Sequence, residues 1–101
     1  MTRNEILNTA GHLIDNDRAA EYGPARKNFE DIAKGWSVIF GVEIKAEQVG
    51  PAMAWLKIAR LAKNETHIDS YIDAAAYMAL GGEIATEPAT ADNVKPFKQQ
   101  A

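Results

Sequence analysis

Three bases and two acids lie within a short span, and their spacing could do chemistry. Lys57, Arg60 and Lys63 stand on one helical pattern, Asp69 and Asp73 on the next, with Asn64-Glu65-Thr66 as the turn between them. Lys57, Arg60 and Asn64 share one stripe, and Asp69, Asp73 and Tyr77 share another at i, i+4, i+8. Across an antiparallel hairpin the two stripes face each other. One expectation is structural: Lys57 or Arg60 pairs with Asp69 or Asp73 and holds the register of the hairpin. The other is functional: the bases hold a phosphate, while the acids take sugar hydroxyls or a divalent cation. Carboxylates four apart on a helix can hold Mg²⁺. His67 could give a proton or hold a phosphate, or it could simply start the second helix.

A second set of polar residues precedes Phe29. Arg18 and Tyr22 stand four apart, and Arg26, Lys27 and Asn28 follow in the first turn of a helix opening at Pro24. Helix N-termini attract anions, whereas cations there need an anion or acid to meet them. These residues read either as solvated surface or as an anion-facing patch in which Tyr22 stacks on a base. His12 reads as a partly exposed helical histidine. All-helical nucleoside-triphosphate pyrophosphohydrolases offer a comparison for the acids. They carry an E-x-x-E pair on one helix and E-x-x-D on the next. This chain has Asp69 and Asp73 at i, i+4, with Glu30, Asp31 and Glu47 upstream and no E-x-x-E. No Gly-rich phosphate loop or H-E-x-x-H stretch occurs, and Ser37 and Ser70 lack the context of a nucleophile.

The elements that must position these groups are helical. The pattern predicts an all-α, compact bundle of four helices, at about 3–15, 24–40, 46–63 and 68–81, with a C-terminal tail. Thr2 and Glu5 form a capping box for the first helix. Asp15, Asn16 and Asp17 favour a turn after it. Phe29, Ile32, Ala33, Trp36, Ile39 and Phe40 make the strongest amphipathic stripe, ended by Gly41. Val42–Ile44 reads as a loop. The third helix carries Pro51 inside it, with a bend, and places Met53, Leu56, Ala59 and Ala62 on its inner face. Trp55, Ile58 and Leu61 make it apolar nearly all round, which points to a homo-oligomer. Thr66 is the expected N-cap of the fourth helix, with Asp69 at its capping-box position. Ile68, Ile72, Ala75, Ala76 and Ala79 form its packing face; Gly81-Gly82 ends or loosens it near residue 81, with Glu83–Ala85 as an added, frayed turn.

Composition sets the bounds. The chain has 101 residues, enough for one modest core, and is divided as a helical domain over 1–85 and a flexible or docked tail over 86–101 anchored by Phe97. It has no cysteine, which excludes disulfides and thiolate metal sites. A net charge of −3 argues against nucleic-acid binding by bulk charge. No apolar run approaches the roughly 18–20 residues of a membrane span. The start of the chain lacks the continuous apolar core of a signal peptide.

Four blocks in order carry a resemblance: R-x-x-x-Y-G (Arg18–Gly23), N-F-x-x-I-A-x-x-W (Asn28–Trp36), L-K-I-A-R (Leu56–Arg60) and H-x-D-S-x-x-D-A-A-x-Y (His67–Tyr77). Together they resemble a family of small, largely uncharacterised all-helical phage and prophage proteins, across roughly residues 15–85. The resemblance implies a viral origin and the cytoplasm of a bacterial host. By analogy of size and source it also suggests an oligomeric sponge that sequesters a nucleotide signal of bacterial immunity. The expected function is therefore a non-catalytic binder of a phosphorylated, nucleotide-like molecule, needing no cofactor. Its ligand set is Arg18, Tyr22, Arg26, Asn28, Lys57, Arg60, His67, Asp69 and Asp73. Two alternatives stand beside it. One is a metal-dependent nucleotide pyrophosphohydrolase using Mg²⁺ on Asp69 and Asp73. The other is a protein-interaction module that inhibits a host protein, its charges being structural.

Overall fold

The structure is a computed structural model that describes residues 1–18 and 24–87, with backbone alone at residues 17 and 18. These residues form α1 (Arg3–His12), which runs on into a π-helical segment (Leu13–Arg18), then α2 (Ala25–Phe40), α3 (Ala46–Arg60) and α4 (Ile68–Thr86). The fold is an all-α bundle, as the periodicity predicts. No strand occurs among the described residues.

The start of α1 follows its sequence closely. Thr2 Oγ1 accepts from the Glu5 N–H at 3.1 Å, and Glu5 Oε1 accepts from the Thr2 N–H at 2.8 Å. The far end differs from expectation. There is no turn at residues 15–17. The helix widens instead into the π segment, where Asn16 Nδ2 donates to the His12 carbonyl at 3.0 Å. That side chain competes for a carbonyl of the helical ladder, as short polar residues do.

Gly41 ends α2 in the left-handed region at φ 70°, and its N–H returns to the Ser37 carbonyl at 3.0 Å. Ser37 Oγ donates to the Ala33 carbonyl at 2.7 Å and accepts the Ile44 N–H at 2.8 Å. One hydroxyl thus ties the loop back onto its helix. Gln48 Oε1 accepts the Lys45 N–H at 2.7 Å and starts α3. The α-helix ends at Arg60, short of the expected 63, and residues 61–63 close in a tighter turn of i→i+3 bonds.

The densest packing lies between α3 and α4. Gly50 and Gly81 sit at their crossing. A Cβ on Gly50 would meet Gly81 Cα at 2.7 Å and the Tyr77 carbonyl at 2.7 Å. Pro51 removes the N–H that would serve the Glu47 carbonyl. A Cβ on Gly81 would stand 3.4 Å from that oxygen. The two backbones need this glycine pair to approach so closely.

This contact corrects three expectations. The Gly81-Gly82 pair does not end α4, which continues past the expected residue 81 to Thr86, and its last turn is not a frayed one but buries Ile84. The inner face of α3 is Ala46, Val49, Gly50 and Ala54, with Met53, Lys57 and Leu61 half-buried, whereas Leu56, Ala59 and Ala62 are exposed. The packing face of α4 is Ser70, Ile72, Ala76, Leu80, Gly81 and Ile84, so Ile68 and Ala79 lie outside it. At the start of α4 the N-cap is His67, not Thr66, and the predicted Asp69 capping box does not form. Thr66 Oγ1 turns instead to Asn64 Oδ1 at 3.2 Å.

Two apolar clusters make the core. Phe29, Ala33, Ala46, Val49, Leu80 and Ile84 join α2, α3 and α4. Ala10, Ile72 and Ala76 join α1 to α4, and Ile14 packs against both clusters. The predicted stripe of α2 splits along its length: Phe29 and Ala33 are buried, Ile32 and Trp36 half-buried, and Ile39 and Phe40 exposed. Residues 19–23, with Tyr22, and 88–101, with Phe97, lie outside the described residues.

The charged hairpin as candidate functional site

The α3–α4 hairpin brings the two charged stripes together. Lys57 rises from the inward side of α3, and its Nζ lies 3.3 Å from Asp73 Oδ2. Both side chains are largely covered, at 17% and 29% exposed. A pair at that depth attracts more strongly than one in open water, but each ion gives up hydration to enter it. It fixes which turn of α3 lies beside which turn of α4.

Arg60 and Asp69 lie one helical turn nearer the connecting residues. Both are exposed, and no ion pair joins Arg60 to a carboxylate of the described residues. The first charged level of the hairpin is thus closed by its own salt bridge, and the second is open to solvent. His67, half-buried, sits at this open end with Nδ1 2.7 Å from the Oγ of Ser70, which is fully buried. Tyr71 Oη donates to the Glu65 carbonyl at 2.9 Å and braces the same turn. Tyr77 is half-buried against the main core, further along the acidic stripe.

The bases of α2 are differently placed. Arg26 contacts Glu87 through Nε, reaches Glu30 through Nη1 at 3.5 Å, and donates from Nη2 to the Ile84 carbonyl at 3.0 Å. It therefore clasps the end of α4, where helical carbonyls lack partners and favour a cation. The bond it donates to Glu87 raises the Arg26 guanidinium further above its ordinary range. Lys27 pairs with Asp31 at 2.8 Å. This bond raises the ammonium and lowers the carboxyl. The acid that Arg26 needs at its helix N-terminus comes from within the chain.

Of the residues proposed for a ligand, Lys57, Arg60, His67, Asp69 and Asp73 share the hairpin. Arg26 and half-buried Asn28 belong to α2, beside the other end of α4. Tyr22 and the side chain of Arg18 lie outside the described residues. Among the described residues, no three of His, Asp and Glu are grouped to hold a metal ion. No described helix is long and apolar enough to cross a membrane.

Sequence reasoning missed two features. One is the Arg26–Glu87 clasp, because Glu87 stands in a stretch with the composition of a tail. The other is a groove of about 480 Å³ lined by Trp36, Ile39, Phe40, Ile44, Gln48, Ala52 and Leu56. Its signal was present in the all-round apolar pattern of α3, and in an α2 stripe longer than the core it meets.

Comparison with known proteins follows the same span. The profile of a domain of unknown function, DUF6378, matches residues 5–85. The Gene 55 protein of Mycobacterium phage L5 is 44% identical over 73 residues, covering 71% of this chain and 47% of that protein. The Gene 55 protein of Mycobacterium phage D29 is 39% identical over 83 residues, covering 82% and 55%. The chain spans about half the length of these curated relatives. No solved structure matches.

Proposed function

This chain belongs to the DUF6378 family, with relatives in mycobacteriophages, and we propose that it is a phage-type, non-catalytic binder of a phosphorylated, nucleotide-like small molecule. The observation that carries this reading is the open charged level of the hairpin. Arg60 stands there exposed and, among the described residues, without an ion-pair partner, one turn from a Lys57 already tied to Asp73. A guanidinium held on a rigid helix suits bidentate contact with phosphate. Asp69, at the start of α4, is open to ligand hydroxyls. His67 offers its second ring nitrogen beside them. The Lys57–Asp73 pair sets the position of these groups. In a phage protein, such binding would withdraw a host nucleotide signal, including one of immunity.

Binding without turnover is the test. Equilibrium dialysis should retain a nucleotide on the native protein and not on Arg60→Ala. Long incubation with Mg²⁺ should leave that nucleotide intact by phosphorus NMR. Mg²⁺-dependent release of phosphate or pyrophosphate would favour the hydrolase reading instead. That reading asks Asp73 to leave Lys57 for a metal. A third reading, an interaction module acting on a host protein, draws on the exposed apolar surface of α2 and α3. It predicts that nucleotides have no effect at all.

A further inference from the structure

The apolar face shared by α2 and α3 has no intrachain partner among the described residues. Trp55 is 67% exposed, Leu56 55%, Ile39 72% and Phe40 66%. Leu56, Ile39 and Phe40 line the groove together with Trp36, Ile44, Gln48 and Ala52. Trp55 is one helical turn from Ala52 and next to Leu56, so it stands on the rim of that groove. Between Lys45 and Lys57 the outer side of α3 carries Gln48, Ala52, Trp55 and Leu56, with no charge.

We infer that a second copy of this chain covers the face, in a two-fold homodimer in which each Trp55 enters the groove of its partner. Area argues for it. At roughly 150–250 Å² for a fully exposed large side chain, these four residues leave on the order of 500 Å² of apolar surface in water. A stable interface covers about 800 Å² per partner, about 65% of it apolar in homodimers, which is the same quantity. Shape argues in the same direction. A two-fold axis requires one patch to complement itself. This patch carries both a projecting indole and an aromatic-lined hollow large enough to take it. Buried aromatic anchors seated in such hollows dominate the energy of interfaces. The face is uncharged at its centre and flanked by Lys45, Arg60 and Lys63, which is the layout of an interface core within a polar rim.

Sedimentation velocity across the micromolar range tests the inference. The full chain should sediment as a dimer that dissociates on dilution, with tryptophan emission moving to longer wavelength as Trp55 enters water. Trp55→Glu and Leu56→Glu should both be monomeric with unchanged helical circular dichroism, since both positions are exposed. Val38→Glu should remain dimeric, because Val38 borders a separate groove with Lys34 and Glu43. A native chain that stays monomeric throughout would overturn the inference and leave the face to a different partner. A dimer that survives both Trp55→Glu and Leu56→Glu would overturn it as well.

Discussion

Lys57 and Arg60 stand three residues apart on α3 and differ in what they hold. Lys57 reaches Asp73 under partial cover, whereas Arg60 is exposed with no carboxylate of the described residues to meet it. Removing either member of the half-covered pair should cost about 1–2 kcal/mol, between the value of an open pair and that of a buried one. A double-mutant cycle on Lys57→Ala and Asp73→Ala, followed by urea denaturation, should return a coupling of about 1 kcal/mol. Arg60→Ala should leave stability within about 0.5 kcal/mol of native, as expected of an exposed side chain with no ion pair among the described residues. At the other end of the chain, the bonds from the Thr2 N–H and hydroxyl hold the Glu5 carboxyl below its ordinary range. A depressed carboxyl contributes stability above its unfolded pKa and loses it as pH falls through the folded one. Acidification below the ordinary carboxylate range should therefore fray α1 first. Amide exchange at residues 3–6 should quicken before exchange in α4. The facing of the charged stripes was legible from i, i+4 spacing and a short turn. Which base would be covered was not. The apolar pattern of α3 is nearly continuous, so it does not mark which side turns inward, and Lys57 lies on the inward side.

Among the elements, the glycines separate by what surrounds them. Gly81 and Gly82 are neighbours on α4, yet only Gly81 faces the backbone of α3. Gly50→Ala places a methyl group against main chain at 2.7 Å and should destabilise the fold by about 1–3 kcal/mol. Gly82→Ala meets nothing within 4 Å and should stabilise it by roughly 0.5–1 kcal/mol through the unfolded chain. Thermal melts should move in opposite directions for the two variants. A glycine pair late in a helical pattern reads as a stop, because glycine is the usual residue there. Here the reason for Gly81 is the backbone of the opposite helix, α3, at the crossing, a contact between residues far apart in the chain. Local signals were more readable. The capping box at Thr2 and Glu5 and the left-handed Gly41 depend on neighbours in sequence, and both occur as their residue types imply. The π segment was hidden because Asp15, Asn16 and Asp17 favour any arrangement in which side chains compete for backbone groups.

At the scale of the whole molecule, two exposed surfaces stand apart among the described residues. The open end of the hairpin offers Arg60, Asp69 and His67, and the outer face of α2 and α3 offers Trp55 and its groove. The all-α bundle was legible because each amphipathic pattern is long. The unequal burial of α2 was not, since it depends on where α3 and α4 stop covering it. The function proposed for the hairpin is ligand binding without chemistry. A thermal-shift series with mono-, di- and cyclic nucleotides, with and without Mg²⁺, tests it most directly. A ligand at a hundredfold excess over its Kd adds about 2.7 kcal/mol to stability. For a domain of this size that raises the melting temperature by more than about 10 °C. The expected result is such a rise without Mg²⁺, absent in an Arg60→Ala protein whose own melting temperature is unchanged. No rise with any nucleotide, or an equal rise in Arg60→Ala, would contradict it.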